Sequence, residues 1–307
     1  MEHARLGRTG LEVSRLGLGL SETGFNLPRE QTEQAARVLN DALDAGINFL
    51  DTAACYGLSE EQIGASVAHR RKEFILATKC GHFVPRGHGI DWTRDVILES
   101  IDRSLRRMKT DHVDLLQLHS CSVEVLEKGE VTRALQDVQQ AGKTRFIGYS
   151  GDNANAEWAV KSGLFDTLQT SFNLVDQKAR KTLFPVAKKR GMGVIVKRPI
   201  GNAVWGAAAD PRPYQHNPVY TEEYFRRAQL MQKEGPLPAD PGDRILLALG
   251  FTFAHPEVDV AIVGTQRPEH LRSNIEMVER RLPISALATR ALHDRYDRLA
   301  SEWEQRG

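Results

Sequence analysis

Four polar residues follow short apolar runs of the sequence. Asp51 ends one such run, and Tyr56 follows it five residues later. Lys79 and His119 each come directly after another run of the same kind. Taken singly, such residues are ordinary: an aspartate caps a helix, a lysine lies at a solvated rim, and a histidine is hydrogen-bonded in a core. Their matching positions after three successive runs predict that they meet in one polar site.

An acid, a phenol, an amine and an imidazole together suit the protonation of a carbonyl oxygen. A tyrosine has an ordinary pKa of about 10, and a neighbouring ammonium lowers that pKa, so Lys79 would make Tyr56 a usable proton donor. Asp51 would hold Lys79 by a charge-assisted hydrogen bond, and a neutral His119 would orient and polarise the carbonyl. Reduction also requires hydride, which no side chain donates, so a nicotinamide cofactor is implied.

The apolar runs alternate with helical patterns along the chain. The runs are short and nearly all apolar, which is typical of strands buried on both faces of a parallel sheet. The predicted strands are 15–20, 47–50, 74–78, 113–118, 145–149, 167–169, 193–196 and 258–263. Eight strand–helix units predict an α/β fold, the (β/α)8 TIM barrel, in which polar residues at the C-terminal strand ends converge. We expect residues 1–307 to form this single domain.

Three segments interrupt the repeat. Residues 204–242 contain six prolines and the polar-aromatic patch 214–216, so we expect a long loop after strand seven, for example a lid over the site. Residues 292, 296, 299 and 303 are apolar at helical spacing and predict an extra C-terminal helix. Residues 21–28 are expected to form a loop, which argues against a dinucleotide-fold interpretation of the glycine pair Gly17 and Gly19.

Composition limits the classes of partner. Lys plus Arg number 41 and Asp plus Glu number 40, with no long charged block, which argues against nucleic acid or a membrane surface as the main partner. Charges interrupt the first twenty residues, and no apolar stretch approaches the ~20 residues of a membrane span. Three cysteines, Cys55, Cys80 and Cys121, fit a reducing compartment. A cytoplasmic protein is expected.

Further motifs occur in a fixed order around the four polar residues. Asp51 with Tyr56, Lys79 in the segment 77–79, and His119 at the end of 114–119 resemble the catalytic tetrad of the aldo-keto reductase family. Segments 104–108, 147–150 and 262–271 resemble other motifs of that family, in the same order along nearly the whole chain. The resemblance implies a barrel that binds NADP(H), with Tyr56 as general acid in reduction and general base in the reverse reaction.

The resemblance also implies cofactor contacts. Ser150 and Gln169 match positions that hold the nicotinamide carboxamide, and His270 with Arg267 and Arg272 would favour NADP(H) over NAD(H) by binding the 2'-phosphate. The N-terminus of a helix opening at Pro268 would add attraction for phosphate. The full set of candidate cofactor residues is Gly19, Ser150, Gln169, Lys197, Arg198, Pro199, Ile200, Gly264, Thr265, Gln266, Arg267, His270 and Asn274.

Two departures from the family pattern affect this assignment. Gly151 stands where asparagine is frequent, so one carboxamide contact is lost or is replaced by Asp152. Lys197 replaces the aromatic residue that stacks on the nicotinamide in many members. Arg198 is then a candidate for binding pyrophosphate or an anionic substrate group. The alternative is that both are solvated basic residues at the barrel mouth.

Two rival functions remain open on the sequence alone. The first is a cofactor-sensing regulatory subunit with the same fold. The second is a metal-dependent barrel hydrolase, with ligands among Cys55, Cys80, His82, His88, His119 and Cys121, although closely spaced ligand pairs are missing. We favour the oxidoreductase, with no metal site, a small-molecule carbonyl or alcohol substrate, and a monomer rather than an oligomer. The loops at 21–28, 81–92 and 204–242 would set its specificity.

Overall fold

The computed structural model describes residues 1–82, 90–207 and 218–306. Its strands, in chain order, are His3–Arg5 (β1), Glu12–Ser14 (β2), Leu16–Gly19 (β3), Phe49–Asp51 (β4), Ile75–Cys80 (β5), Val113–His119 (β6), Thr144–Ser150 (β7), Thr167–Ser171 (β8), Gly193–Lys197 (β9) and Val260–Gly264 (β10). The last eight form a closed barrel in the order β10-β3-β4-β5-β6-β7-β8-β9, and every neighbouring pair is parallel. The predicted (β/α)8 barrel is confirmed.

Helices follow the barrel strands and cover their outer faces. In chain order they are Ser21–Asn26 (α1), Thr32–Asp44 (α2), Ser59–Ser66 (α3), Arg94–Met108 (α4), Val123–Lys128 (α5), Glu130–Gln140 (α6), Asn153–Ser162 (α7), Lys178–Thr182 (α8), Phe184–Lys189 (α9), Pro218–Gln232 (α10), Arg244–Phe253 (α11), Pro268–Glu276 (α12) and Ala286–Leu299 (α13). The predicted C-terminal helix is therefore present as α13. No helix within the described ranges is long and apolar enough to cross a membrane.

An antiparallel hairpin, β1 with β2, closes the N-terminal end of the barrel. Leu6 and Val13 are fully buried there and pack in one apolar cluster with barrel residues such as Phe49, Leu115 and Ile195. Filling this end leaves the opposite end, where the strands terminate in polar residues, as the end at which a site can form. The hairpin was not predicted from the sequence.

Two segments expected to be loops contain helices. Helix α1 occupies most of 21–28, and α10 occupies part of 204–242, so the expectation of irregular structure is wrong for both. Pro218 opens α10, and the first helical position tolerates proline because its N–H has no helical partner. Tyr224, Ala228 and Met231 then bury one face of the helix. The polar-aromatic patch at 214–216 lies outside the described residues.

Candidate active site

Lys79 and Asp51 form a buried ion pair at the C-terminal end of neighbouring strands. Lys79 Nζ donates to Asp51 Oδ2 at 2.6 Å and to the Thr52 carbonyl oxygen at 2.8 Å. Both residues are at most 2 % exposed. Strands β4 and β5 pair Asp51 with Ala77, so Lys79 stands two residues further along the barrel wall. The Lys79 ammonium lies 4.8 Å from the centroid of the Tyr56 ring, which places the charge beside the phenol.

A second set of hydrogen bonds holds Asp51 from across the barrel. Gln169 Nε2 donates to Asp51 Oδ1 at 2.7 Å, and Gln117 Nε2 approaches the same oxygen at 3.4 Å. Ser150 Oγ lies 2.9 Å from Gln169 Oε1, to which it donates. Gln117 was not singled out from the sequence, although it precedes His119 by two residues on β6 and therefore points to the same face of that strand. Asp51 is thus fixed by more than its lysine.

His119 completes the group at the end of β6. Its ring lies edge-on to Tyr56, with centroids 5.6 Å apart, and its Nδ1 lies 3.5 Å from Cys55 Sγ. Trp92 Nε1 donates to the His119 carbonyl oxygen at 3.2 Å. Burial, followed by the charge of Lys79, lowers the His119 pKa well below its ordinary value. The imidazole is therefore neutral near pH 7, as expected for a hydrogen-bonding group at a carbonyl.

Helix α1 packs tightly against the loop that carries Tyr56. A Cβ built on Gly24 would lie only 2.1 Å from the Tyr56 carbonyl oxygen, so a larger residue cannot replace this glycine without moving the loop. Phe25 places its ring 5.7 Å from the Tyr56 ring. The segment expected to be a specificity loop is therefore a short helix that helps to position the phenol.

A cleft of about 910 Å³ runs from the four residues toward β10 and α12. Tyr56, His119 and Asp51 line one part of it, while Lys79 is buried beneath. Ten of the thirteen predicted cofactor residues line the cleft: Gly19, Gln169, Lys197, Arg198, Pro199, Ile200, Gly264, Thr265, His270 and Asn274. Residues that line it without having been predicted include Ser21, Glu22, Asn202, Thr221, Arg244 and Ser273. Most of these lie on helices that the sequence patterns did not predict, or at helix starts.

The other three predicted cofactor residues lie outside the cleft lining. Ser150 is fully buried behind Gln169. The Gln266 carbonyl oxygen accepts a hydrogen bond from Gln34, and the backbone N–H of Arg267 donates to Thr265 Oγ1 at 3.1 Å, which shapes the turn into α12. Asn274, in contrast, lines the cleft at 8 % exposure. A side-chain amide there offers both a donor and an acceptor to a polar ligand.

Lys197 and Arg198 are not solvated rim residues. Lys197 Nζ lies 3.0 Å from Asp152 Oδ2, and its side chain is 14 % exposed. Asp152 also accepts hydrogen bonds from Thr170, from Ser171 and from Gln305. Burial alone would raise the Asp152 pKa, but Lys197, Arg198 and these donors outweigh it and hold the pKa below its usual range. The carboxylate is fully engaged by protein donors, so the expectation that Asp152 replaces a carboxamide contact is not supported.

The residues of the alternative metal site come together only in part: Cys55 Sγ lies 3.5 Å from His119 Nδ1, and the His82 and His119 ring centroids are 5.0 Å apart. Cys80 and Cys121 are buried, and their thiols point to the carbonyl oxygens of Gln117 and Ser122. Burial raises the pKa of the Cys121 thiol to about 12, so this thiol is neutral in the protein as described. His88 lies outside the described residues. Within the rest of the chain that the structure describes, no three His, Cys, Asp or Glu side chains are grouped as ligands for a metal ion.

Comparison with known proteins identifies the family of this chain. The aldo/keto reductase family model matches residues 15–292, and the chain therefore belongs to that family of oxidoreductases, whose members use nicotinamide cofactors. The chain is 30% identical over 292 residues to L-galactose dehydrogenase of Arabidopsis thaliana, covering 91% of this chain and 88% of that protein.

Two further relatives agree with this assignment. The 6-dehydroglucose reductase of Novosphingobium aromaticivorans is 29% identical over 291 residues, with 90% of each chain covered. Among solved structures, the holo form of an aldo-keto reductase from Bacillus halodurans superposes with a TM-score of 0.79 at 27% identity, over 96% of each chain.

Proposed function

We propose that this protein is an NADP(H)-dependent oxidoreductase that interconverts a small aldehyde, ketone or sugar and the corresponding alcohol. The observation that carries the proposal is the Lys79 ammonium, held by Asp51 at 2.6 Å and lying 4.8 Å from the ring centroid of Tyr56. A buried lysine kept charged beside a phenol favours the ionised form of that phenol. As the sequence indicates, we propose a single domain that acts as a monomer on small molecules.

Each of the four residues has a role in moving one proton. Tyr56 donates its phenolic proton to the carbonyl oxygen in reduction and takes a proton from the alcohol in oxidation. Lys79 stabilises the phenolate left behind, and Asp51 keeps Lys79 in place. The neutral imidazole of His119 donates a hydrogen bond to the substrate oxygen. A nicotinamide cofactor held by the residues that line the cleft would supply the hydride.

The cleft lining supports the proposed cofactor. Gln169 offers an amide at one end of the cleft, and Thr265, His270 and Asn274 offer polar groups beside the N-terminus of α12 at the other. We propose that NADP(H) is preferred because Arg267 and His270 are exposed at that end. Arg272 contributes less, since it already pairs with Asp41 and Glu269. Titration of the protein with NADPH and with NADH compares the two dissociation constants directly.

Replacement of Tyr56 by phenylalanine tests the function. General acid catalysis is typically worth about 10²–10⁴ in rate, so Tyr56→Phe should lose a comparable factor in kcat. NADPH consumption is measured with a panel of aldehydes, ketoses and quinones, and the dissociation constant of NADPH should stay unchanged. Tyr296→Phe is the matched control, since the Tyr296 hydroxyl is buried without a hydrogen-bond partner.

The same experiment separates the regulatory alternative. If the wild type binds NADPH but consumes none beyond the rate of Tyr56→Phe across the panel, the protein is a cofactor-binding subunit. If Tyr56→Phe keeps near-normal turnover of a substrate that the wild type reduces, the proton-transfer role of Tyr56 is wrong.

A further inference from the structure

Arg198 directly follows β9 and lines the cleft. Its guanidinium carbon lies 3.9 Å from the centroid of the Tyr220 ring. Its Nη1 donates to Ser171 Oγ at 2.7 Å and to the Arg306 carbonyl oxygen. The backbone of Arg198 is held at φ 57°, in the left-handed region that costs a non-glycine residue energy. The surrounding contacts therefore fix both the backbone and the guanidinium of this residue.

The hydrogen-bond partners of Arg198 are neutral, and the carboxylate that acts on it electrostatically, Asp152, is paired with Lys197 at 3.0 Å. Among the described residues, no carboxylate lies within 4.0 Å of its guanidinium, whereas Lys79 pairs with Asp51 and Lys197 pairs with Asp152. On helix α10, the Nε of the fully buried Arg227 lies 2.9 Å from Glu223 Oε1. Lys197 and Arg198 therefore share one carboxylate, and the excess positive charge at this position favours the arrival of an anion.

The guanidinium lies on the β8 side of its own strand. Strand β9 lies between β8 and β10 in the barrel. Arg198 reaches toward Ser171 on β8 and toward Tyr220 on α10, away from β10 and α12, where Thr265, His270 and Asn274 lie. The positive charges of Lys197 and Arg198 also contribute to the lowered pKa of His119, which shows that they act on the reacting end of the site.

We propose that Arg198, assisted by Lys197, forms a subsite for a carboxylate or phosphate group carried by the carbonyl substrate. This inference rests on the proposed function and narrows its substrate class to oxo-acids and phosphorylated carbonyl compounds. A guanidinium offers planar, paired donors that match both oxyanions, and stacking on Tyr220 restricts its orientation before the substrate binds. The partly exposed Arg198 remains accessible from the cleft, since it is one of the lining residues.

A matched pair of substrates tests the subsite. The probes are 4-carboxybenzaldehyde and its methyl ester, which differ by one negative charge far from the reacting carbon. Because a hydrogen bond to a charged group contributes about 1.5–3 kcal/mol, we expect the wild type to prefer the acid by at least about tenfold in kcat/KM. Arg198→Gln keeps a donor for the Arg306 carbonyl but removes the charge, and it should bring the ratio to about one, mainly through KM.

Two further variants serve as controls for this result. Arg198→Lys keeps the positive charge but lacks the planar paired donors of a guanidinium, so it should retain part of the preference that Arg198→Gln loses. Arg290→Met removes an exposed arginine from α13 and should behave as the wild type does. A wild-type ratio near one, or a ratio that Arg198→Gln leaves unchanged, contradicts the subsite. If Arg198→Gln does not fold, the wild-type ratio and the Arg198→Lys ratio still decide, because equal values near one contradict it.

Calorimetry on the NADPH complex distinguishes failure of the subsite from failure of the function. Terephthalate, a non-reactive dicarboxylate, should bind the wild type and lose about tenfold or more in affinity in Arg198→Gln. If no carbonyl compound is reduced but terephthalate binding depends on Arg198, the proposed function fails and the subsite stands. If Arg198→Gln instead weakens NADPH binding and leaves terephthalate and the substrate ratio unchanged, the arginine serves a cofactor phosphate and the subsite is wrong.

Discussion

The protonation state of His119 follows from its neighbours. It stands among Lys79, His82, Lys197 and Arg198, and every one of these groups disfavours a positive charge on the imidazole. Cys55 adds no negative charge, because burial raises its thiol pKa to about 11. The Cys55–His119 contact is therefore a hydrogen bond between a neutral thiol and a neutral ring. A neutral imidazole can orient a carbonyl oxygen but cannot supply the proton that the oxygen gains.

The pH profile of reduction should therefore show no effect of His119 in the neutral range. Since the folded pKa lies well below 6.5, the ring stays neutral as pH falls through 6.5. We expect His119→Gln to lower kcat while leaving the shape of the kcat/KM profile between about pH 5.5 and 8 unchanged. Steady-state rates across that range measure it, with the partly exposed His112→Gln as control. A wild-type limb near pH 6.5 that disappears in His119→Gln contradicts the assignment.

For individual residues, the sequence predicts which residues form the site better than it predicts which side chains contact one another. Matching positions after successive strands were enough to bring Asp51, Tyr56, Lys79 and His119 together. The bridge from Gln169 to Asp51 spans 118 residues of sequence, and nothing in local spacing indicates it. The same holds for Lys197, whose partner Asp152 follows a different strand. Such pairings depend on side-chain direction across the barrel mouth, which a strand pattern does not specify.

Secondary structure elements were predicted where their apolar patterns were long or repeated. Each barrel strand was found within a few residues, because a strand buried on both faces is a continuous apolar run. The β1–β2 hairpin was missed, since strands of three residues are too short to show alternation. Helix α10 was missed because six prolines in 204–242 outweighed a proline-free stretch with apolar residues at helical spacing. Proline content alone is a poor guide to irregular structure when the proline opens the helix.

A histidine pair connects α13 to the segment after α11. His255 Nδ1 lies 2.8 Å from the Phe251 carbonyl oxygen, so it donates there and leaves Nε2 as an acceptor. His293 Nε2 lies 3.0 Å from His255 Nε2 and must then be the donor. Burial lowers the pKa of both rings, and that of His293 falls to about 4. The contact therefore requires a neutral His255 as acceptor, while burial and the charge of Arg180 disfavour a positive charge on His293.

Acid should weaken the attachment of α13. A histidine whose folded pKa is lowered stabilises the fold fully above its unfolded value of 6.5, and that contribution is lost as pH falls toward 4. For His293 alone the loss at pH 5 is on the order of 1 kcal/mol, since solvent screens the charge of this half-buried ring. His293→Gln keeps a donor for His255 without the titration, so its free energy of unfolding should fall less between pH 7.5 and pH 5. Urea unfolding of both proteins at the two pH values measures this. Equal losses contradict the prediction.

The two ends of the barrel differ: the C-terminal end contains the proposed chemistry, and the N-terminal end contributes to stability. Polar strand ends, the cleft and residues 303–306 gather at the C-terminal end, where Gln305 donates to Thr170 and to the Ser171 carbonyl oxygen and the backbone of Arg306 bonds Asp176. The N-terminal end contains the apolar plug formed by Leu6, Leu11 and Val13. Overall topology was predictable because eight repeated units allow few arrangements. The closure of each end was not predictable, because it depends on chain segments outside the repeated units.

Shortening a side chain in the plug should therefore change stability and leave the chemistry intact. Leu6 is fully buried, and a Cβ built on Gly193 would lie 2.7 Å from its side chain, so the packing there is tight. Leu6→Ala should lower the free energy of unfolding by about 2–5 kcal/mol, through lost burial and the cavity left behind. The exposed Leu287→Ala, at 54% exposure, should stay within about 0.5 kcal/mol of the wild type. Urea midpoints at constant slope measure both.

Well below its unfolding temperature, Leu6→Ala should keep the wild-type kcat/KM and NADPH affinity, because the plug lies at the far end of the barrel from Tyr56. An unchanged midpoint would contradict the stabilising role of the plug, and a selective loss of kcat would show that the two ends are not independent.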